Sequence, residues 1–328
     1  MLLTPDQPSS SLPLVLDLDG TLIHTDTFHE MMVSLLIHKP WILLKLPFWF
    51  LKGRPYTKAQ LITYTDLDLA TLPYNKALLS FARQAREEGR PLILATGTDQ
   101  RLAQKISDHL GIFQKVIGSD GKINMTGRQK GSTLVEHFGV HGFDYAGDSS
   151  IDEWVWNLAH KAIVVCPKRG VLKKAHSLKK SEHIHLIPRE KQRMWACILA
   201  LRPLFWAFNV LSPSFAVFMG MSLLSSGLFI LGDLLMIEKE RQQKSTLIKS
   251  VFTKGQLHLS TAFMMAPFLI AFSTFFLFSS VKLSMYSALY VPLFISMDCF
   301  SRHLFPSLRW TLLGLLQLLI LLLVSLSL

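Results

Sequence analysis

The sequence predicts two structural classes in one chain: an α/β domain built on a parallel sheet, then an all-α bundle of transmembrane helices. Three observations lead there. Short strand-like apolar runs alternate with helical patterns in the first half, the arrangement that gives a parallel sheet covered by helices. The composition then breaks near Pro188, and from Trp195 to Leu328 apolar runs of membrane-spanning length follow one another with few charges inside them. Lysines and arginines collect beside these runs rather than within them. Half of the 328 residues are hydrophobic, high for a wholly soluble chain, and the excess lies in the second half. The boundaries read as 1–188 and 189–328.

The N-terminal stretch MLLTPDQPSSSLP has no basic segment ahead of an apolar core, so no cleaved signal peptide is expected. Leu14 to Asp19 is the first strand. A greasy insert follows, MMVSLLIHKPWILLKLPFWFLKG, broken by Pro40 and Pro47 and interrupted by His38, Lys39 and Lys45. It reads as a helical cap over about 23–73, lying over a site or on a membrane surface rather than spanning. Tyr74 to Glu88 carries helical periodicity closed by Gly89. Pro91 to Thr96 is the second strand, and Asp99 to Leu110 a helix closed by Gly111. Lys115 to Ile117, Phe143 to Ala146 and Ala162 to Val165 complete the predicted strands.

Five spans are predicted in the second half, near 195–211, 214–235, 257–280, 284–300 and 310–328. Nine Lys and Arg lie between Lys168 and Arg193, and five between Lys239 and Lys254. Only Lys282 follows the third span, and Arg302, His303 and Arg309 follow the fourth. This alternation places the globular domain in the cytoplasm of a bacterial-type cell, against the inner membrane. The net charge of +11 is thereby a topology signal. No aromatic residues interleave with the basic ones, so nucleic acid is not an expected partner. Cys166, Cys197 and Cys299 are too scattered for a metal or redox motif and read as reduced and buried. His183 and His185 alternate like metal ligands, but they sit among linker lysines and read as surface residues.

The chemistry concentrates in VLDLDGTLIHTD. Asp17 and Asp19 close a strand and, two residues apart, face the same way. At the end of a central parallel strand they can attack phosphorus and shuttle a proton. Thr96 ends LILAT, Lys130 lies in TGRQKGSTL with Lys122 as the nearby alternative, and YAGDSSIDE supplies Asp148 and Asp152. Converging carboxylates call for a divalent cation with oxygen ligands. Asp99 and Asp120 read as caps and loop carboxylates; His24 and His29 read as surface or cap residues.

DLDGT, a strand ending in threonine, a lysine, and then GDxxxD resembles the haloacid dehalogenase superfamily of phosphatases over about residues 12–170. The resemblance implies a Rossmann-like domain with a small cap. Asp17 is then the nucleophile, Asp19 the general acid and base, and Thr96 and Lys130 the groups orienting phosphate. It implies Mg²⁺ held by Asp17, Asp19 (through its carbonyl), Asp148 and, in support, Asp152.

The membrane half resembles UbiA-type prenyltransferases through the entry LRPLFWAFNVL and a span ending in GLFILGDLLMIEKE. That family's motif N-D-x-x-D-x-x-x-D holds Mg²⁺ on a prenyl diphosphate. Here Gly232 stands for the asparagine, Asp233 matches the first aspartate, Met236 replaces the second and Glu240 stands for the third. Two carboxylates two helical turns apart are a remnant of such a site. The family has about nine spans and a second aspartate motif, and neither is present. The expected protein is therefore a Mg²⁺-dependent phosphomonoester hydrolase anchored by a degenerate membrane domain. Its expected substrate is a phosphorylated small molecule or a lipid-linked or prenyl-type phosphate. The alternatives are prenyl or phosphoribosyl transfer, alone or with a partner subunit supplying the missing spans, and a non-enzymatic membrane scaffold.

Overall fold

The computed structural model of the protein describes residues 12–165, 169–178, 184–187, 195–210, 212, 214–242, 250–277, 290–295, 297–298 and 312–320. The chain divides into two units, Met1–Lys191 and Gln192–Leu328.

The first unit is a six-stranded parallel sheet. Its strands are β1 (Leu14–Leu16), β2 (Leu92–Asp99), β3 (Lys115–Ser119), β4 (Asp144–Gly147), β5 (Ala162–Val165) and β6 (Ile184–Ile187), in the order β3-β2-β1-β4-β5-β6. Leu16 stands opposite Leu94 on one side and Ala146 on the other. The strands are buried apolar runs because both faces are covered. Leu14, Leu16, Leu92 and Leu94 pack on one face with Leu78, Ala82, Leu102 and Ile106. Val15, Ile93 and Tyr145 pack on the other with Leu134, Val155 and Trp156. The covering helices follow in chain order. Between β1 and β2 lie α1 (Thr27–His38), α2 (Leu46–Leu51), α3 (Arg54–Tyr64) and α4 (Lys76–Glu87). After them come α5 (Gln100–Leu110), α6 (Gly127–Phe138), α7 (Glu153–Leu158) and α8 (Arg169–Leu178).

β6 is a correction to the reading of HIH as linker. His185 stacks on Phe81 with ring centroids 4.9 Å apart, and the strand extends the sheet beyond β5. His183 and Cys166 lie outside the described residues.

The insert leaves the sheet after Ile23 and returns at Tyr74, and these two residues pair in an antiparallel bridge. Pro40 and Pro47 do not merely break it. Each sits in the first turn of a new helical segment, where its missing N–H costs nothing: a 3-10 helix over Pro40–Lys45 and then α2. Asp99 caps α5 by accepting from the Arg101 amide, and Asp120 accepts from the amides of Lys122 and Ile123.

In the second unit the stretch predicted as the first span is not one helix. α9 (Ala196–Leu201) stops at Arg202, whose φ is +51°, and a 3-10 helix runs over Pro203–Asn209. The cause is Pro203, whose ring disfavours helical backbone in the residue before it. Cys197 on α9 is exposed, not buried as expected. α10 (Phe215–Gln242) and α11 (Leu259–Leu277) are the two helices long and apolar enough to cross a membrane among the described residues. At 1.5 Å per residue they are about 42 and 28 Å long. Of the fourth and fifth predicted spans, residues 290–295, 297–298 and 312–320 are helical where described; Cys299 and the rest lie outside the described residues. Among the described residues, two helices of spanning length stand in the region where five spans were expected.

α10 and α11 pack through small residues. A methyl at Gly227 would meet the Ala266 carbonyl oxygen at 3.1 Å and Ile270 at 2.8 Å. α11 presents Met264, Phe268, Phe272 and Phe275 outward along one face.

Candidate active site

β1 lies between β2 and β4, and the chain reverses its winding direction there. This is the switch point at which such sheets open a crevice beyond their carboxyl ends. Asp17 follows β1 and Asp148 follows β4. The Asp17 amide donates to the Ala146 carbonyl at 3.0 Å, so the ladder runs to the edge of the site. Gly20 turns the chain away with φ +77°, and a Cβ there would come within 2.6 Å of the Asp148 carboxylate. Gly20→Ala is therefore expected to displace Asp148, costing about 1–3 kcal/mol of stability and more than about tenfold in turnover. Thermal unfolding and steady-state kinetics check the two effects separately.

One carboxylate oxygen from each of Asp17, Asp148 and Asp152 lies within 4.8 Å of the others. The buried Lys130 ammonium, on α6, stands 2.9 Å from Asp17 Oδ1 and donates to the Tyr145 hydroxyl at 2.8 Å. Tyr145 donates in turn to Asp152 Oδ1 at 2.8 Å. The other oxygen of Asp152 accepts from the amide and hydroxyl of Ser149, at 3.0 and 2.9 Å. Between the two lysines considered, the structure brings Lys130 to Asp17, while Lys122 is exposed.

Asp19 faces a different set of partners. Its carboxylate accepts from the Thr27 amide, at the start of the cap, and from the Thr98 hydroxyl on β2, each at 2.7 Å. The Asp19 carboxylate is outside the three-carboxylate cluster, in keeping with the expectation that only its carbonyl would face a metal. Thr96, two residues beyond Leu94 on β2, is buried and accepts from the Thr98 amide at 3.1 Å. Thr98, Tyr145 and Lys58 were missed by sequence reasoning. Lys58, on α3, donates to the Gly97 carbonyl at 2.5 Å, and its charge acts on Asp19 and Asp26. Only Thr98 left a signal, since it stands two residues from Thr96 on one strand and shares its face.

Electrostatics divide the two aspartates. Burial raises the Asp17 carboxyl, Lys130 pulls it back, and Asp152 and Asp19 push it up again, leaving it at about 7. Three acids meeting at one lysine are short of positive charge, and a divalent cation fits the oxygen-donor set. Burial, then the charge of Asp26, raises Asp19, with Lys58 and the Thr27 and Thr98 hydrogen bonds opposing. Asp26 itself, although burial works against its charge, is held below the ordinary carboxylate range by His29 and the Phe28 amide.

Asp233 and Glu240, both on α10 in the second unit, do not form one cluster. Asp233 pairs with Arg202 at 2.6 Å, and Arg202 lies over the Phe229 ring at 4.4 Å. Glu240 accepts from the Ser250 amide and the Thr253 hydroxyl, at 3.0 and 2.7 Å.

Comparison with known proteins places the first unit. The family model for haloacid dehalogenase-like hydrolases matches residues 14–150. This segment is a haloacid dehalogenase-like hydrolase domain. The chain is 32% identical over 277 residues to an uncharacterized protein, y4nM, of Sinorhizobium fredii, across 79% of this chain and 53% of that protein. The similarity therefore runs past the hydrolase domain into the second unit, and the chain spans about half the length of that relative. Among solved structures, a protein of unknown function from Bordetella pertussis is similar at 16% identity and TM-score 0.41, over 54% of this chain and 98% of its own. A substrate-bound phosphoserine phosphatase is similar at 15% identity and TM-score 0.38, over 57% and 98%.

Proposed function

We propose that the hydrolase domain is a phosphomonoester hydrolase that works through an aspartyl-phosphate on Asp17, with Mg²⁺ as cofactor. The observation that carries this reading is the division of labour between the two aspartates. Asp17 faces a lysine and two further carboxylates, whereas Asp19 is held apart from them by the Thr27 amide of the cap and the Thr98 hydroxyl of β2.

The Asp17 oxygen attacks phosphorus while the bond from phosphorus to the leaving oxygen breaks, and Asp19 donates its proton to that oxygen. Asp19 then takes a proton from water, whose oxygen attacks the acyl phosphate. Inorganic phosphate leaves and the Asp17 carboxylate returns. Lys130 offsets negative charge on the phosphoryl group, and Tyr145 and Ser149 hold Asp152 in place. Asp17, Asp148 and Asp152, with the carbonyl of Asp19, would hold Mg²⁺, which lowers the repulsion between carboxylate and phosphate. Phosphate release should need Mg²⁺, stop with EDTA and fall at least about 10³-fold in Asp148→Asn. Full activity of that variant in EDTA would remove the metal from the account.

The raised Asp19 carboxyl suits an acid that must be protonated when catalysis begins. Asp26→Asn removes the negative charge that helps keep the proton on Asp19, while an asparagine can still cap α1. The Asp19 pKa should then fall, and the alkaline limb of the kcat/KM profile should move to lower pH. A limb that stays in place would show that Asp19 is not the acid it reports.

The two helices of spanning length and the outward aromatic face of α11 support a chain tethered to the membrane, with the hydrolase domain on the cytoplasmic side as the basic loops require. That tether and the apolar cap favour a lipid-linked or prenyl-type phosphate as substrate. The separate partners of Asp233 and Glu240 favour a degenerate UbiA-type domain serving as anchor over a working prenyltransferase.

A further inference from the structure

The cap carries an arm that is apolar all round but buried on one side only. Over residues 40–51, Ile42, Leu46 and Trp49 turn inward and join the core of the first unit. Trp41, Leu44, Phe48 and Leu51, spaced three, four and three residues apart, turn outward at 63%, 76%, 69% and 86% exposure, with Phe50 beside them at 48%. A helical segment that is hydrophobic on every face is normally enclosed. A contiguous exposed set of this kind marks a surface that meets something apolar.

The charges around the arm say what that is. Lys39, Lys45, Lys52 and Arg54 are exposed along it, and the sequence has no Asp or Glu from Met31 to Thr65. Two of the lysines rest against aromatic rings, Lys45 over Tyr64 at 5.5 Å and Lys52 over Tyr56 at 5.0 Å, which places their ammonium groups at the arm. Large apolar side chains with a purely cationic border are complementary to an anionic bilayer surface, the rings and leucines entering the headgroup boundary and the lysines meeting the phosphates. A partner protein's apolar patch gives no reason for an all-positive border.

We propose that the cap docks on the membrane through residues 40–51, with anionic lipid as its occupant. The inference rests on the reading of the chain as membrane-borne, but not on hydrolysis. Docking would hold the cap, and with it the Asp19 end of the site, at the level where a lipid-linked phosphate lies.

The test uses the full chain with Cys166, Cys197 and Cys299 replaced by serine and one environment-sensitive fluorophore attached at Leu44→Cys. A second sample carries it at Val140→Cys, an exposed apolar position outside the cap. Both are reconstituted in phosphatidylcholine vesicles with about 30% phosphatidylglycerol, where each lysine near the surface strengthens attraction about fivefold. The expected result is blue-shifted emission at 44, quenched by lipids spin-labelled high on the acyl chain, with neither effect at 140. Reversing Lys39, Lys45 and Lys52 to glutamate should expose the label again while hydrolysis of a soluble phosphomonoester continues. A label at 44 as wet as at 140 in chains that float with the vesicles overturns the docking and leaves the tether standing. Shielding without lipid quenching also overturns it, because protein then covers the arm, and equal quenching in pure phosphatidylcholine overturns the anionic part. Chains that fail to float with any vesicle overturn docking and tether together.

Discussion

Asp17→Asn is expected to abolish phosphate release, by at least about 10⁴-fold, while the protein should still fold and still partition with membranes. The size follows from the role. An amide cannot form the acyl phosphate, and what remains is the modest acceleration that charge and positioning provide without a nucleophile. The fold survives because Asp17 is a poor stabiliser in its own right. Its carboxyl is held at about 7, above its ordinary value, so the folded protein binds that proton more tightly than the unfolded chain does. The stability linked to it is complete below the ordinary carboxylate pKa and lost as pH rises through 7, and the ionised form at higher pH is a burden. Asparagine lifts that burden but leaves Lys130 with Tyr145 alone. The two changes oppose each other, so Tm should move little. Phosphate release and thermal unfolding on the same sample test both halves.

Arg202→Met has the largest expected effect on stability. Asp233 is buried and Arg202 is partly buried, 2.6 Å from it, and the guanidinium also covers Phe229. Removing one partner leaves the other charge buried, at a cost of about 3–5 kcal/mol. The double variant Arg202→Met, Asp233→Leu should recover most of that, because two apolar side chains of similar volume leave no orphaned charge. Unfolding in detergent gives both values. A single variant as stable as the parent would mean that the pair is not closed in the folded protein. Neither change should alter hydrolysis if the membrane half is an anchor, whereas prenyl transfer lost with Asp233 would move the chemistry there.

These two sites also show what the sequence could and could not reveal. The carboxylates at the strand ends were readable because a parallel sheet forces its chemistry there: an apolar run ending in DLDG or GDSS fixes both the strand and the place where the acids emerge. Lys130 was readable as a candidate, but its preference over Lys122 depends on α6 bringing it to Asp17, a tertiary fact. Tyr145 looks in sequence like any strand aromatic, and nothing local tells that its hydroxyl joins Lys130 to Asp152. β6 was hidden because its four residues are enclosed by lysines, and charge outweighed the alternation of HIHL. The first span was misread because hydropathy ignores backbone: Pro203 ends the helix at Arg202 although every neighbour is apolar. The arm at 40–51 has apolar residues on both faces, so no periodicity distinguishes the side that packs on the domain from the side left outside.

The most direct measurement of the central claim is to trap the covalent intermediate. Purified protein with Mg²⁺ is mixed with a phosphomonoester it hydrolyses, quenched in acid within the first turnover, and mapped by mass spectrometry. The expected result is one phosphoryl group on the peptide containing Asp17, absent in Asp17→Asn and longer-lived in Asp19→Asn, where the base that activates water is missing. Phosphate released at the normal rate by Asp17→Asn, or a phosphoryl group on any other residue, would contradict it.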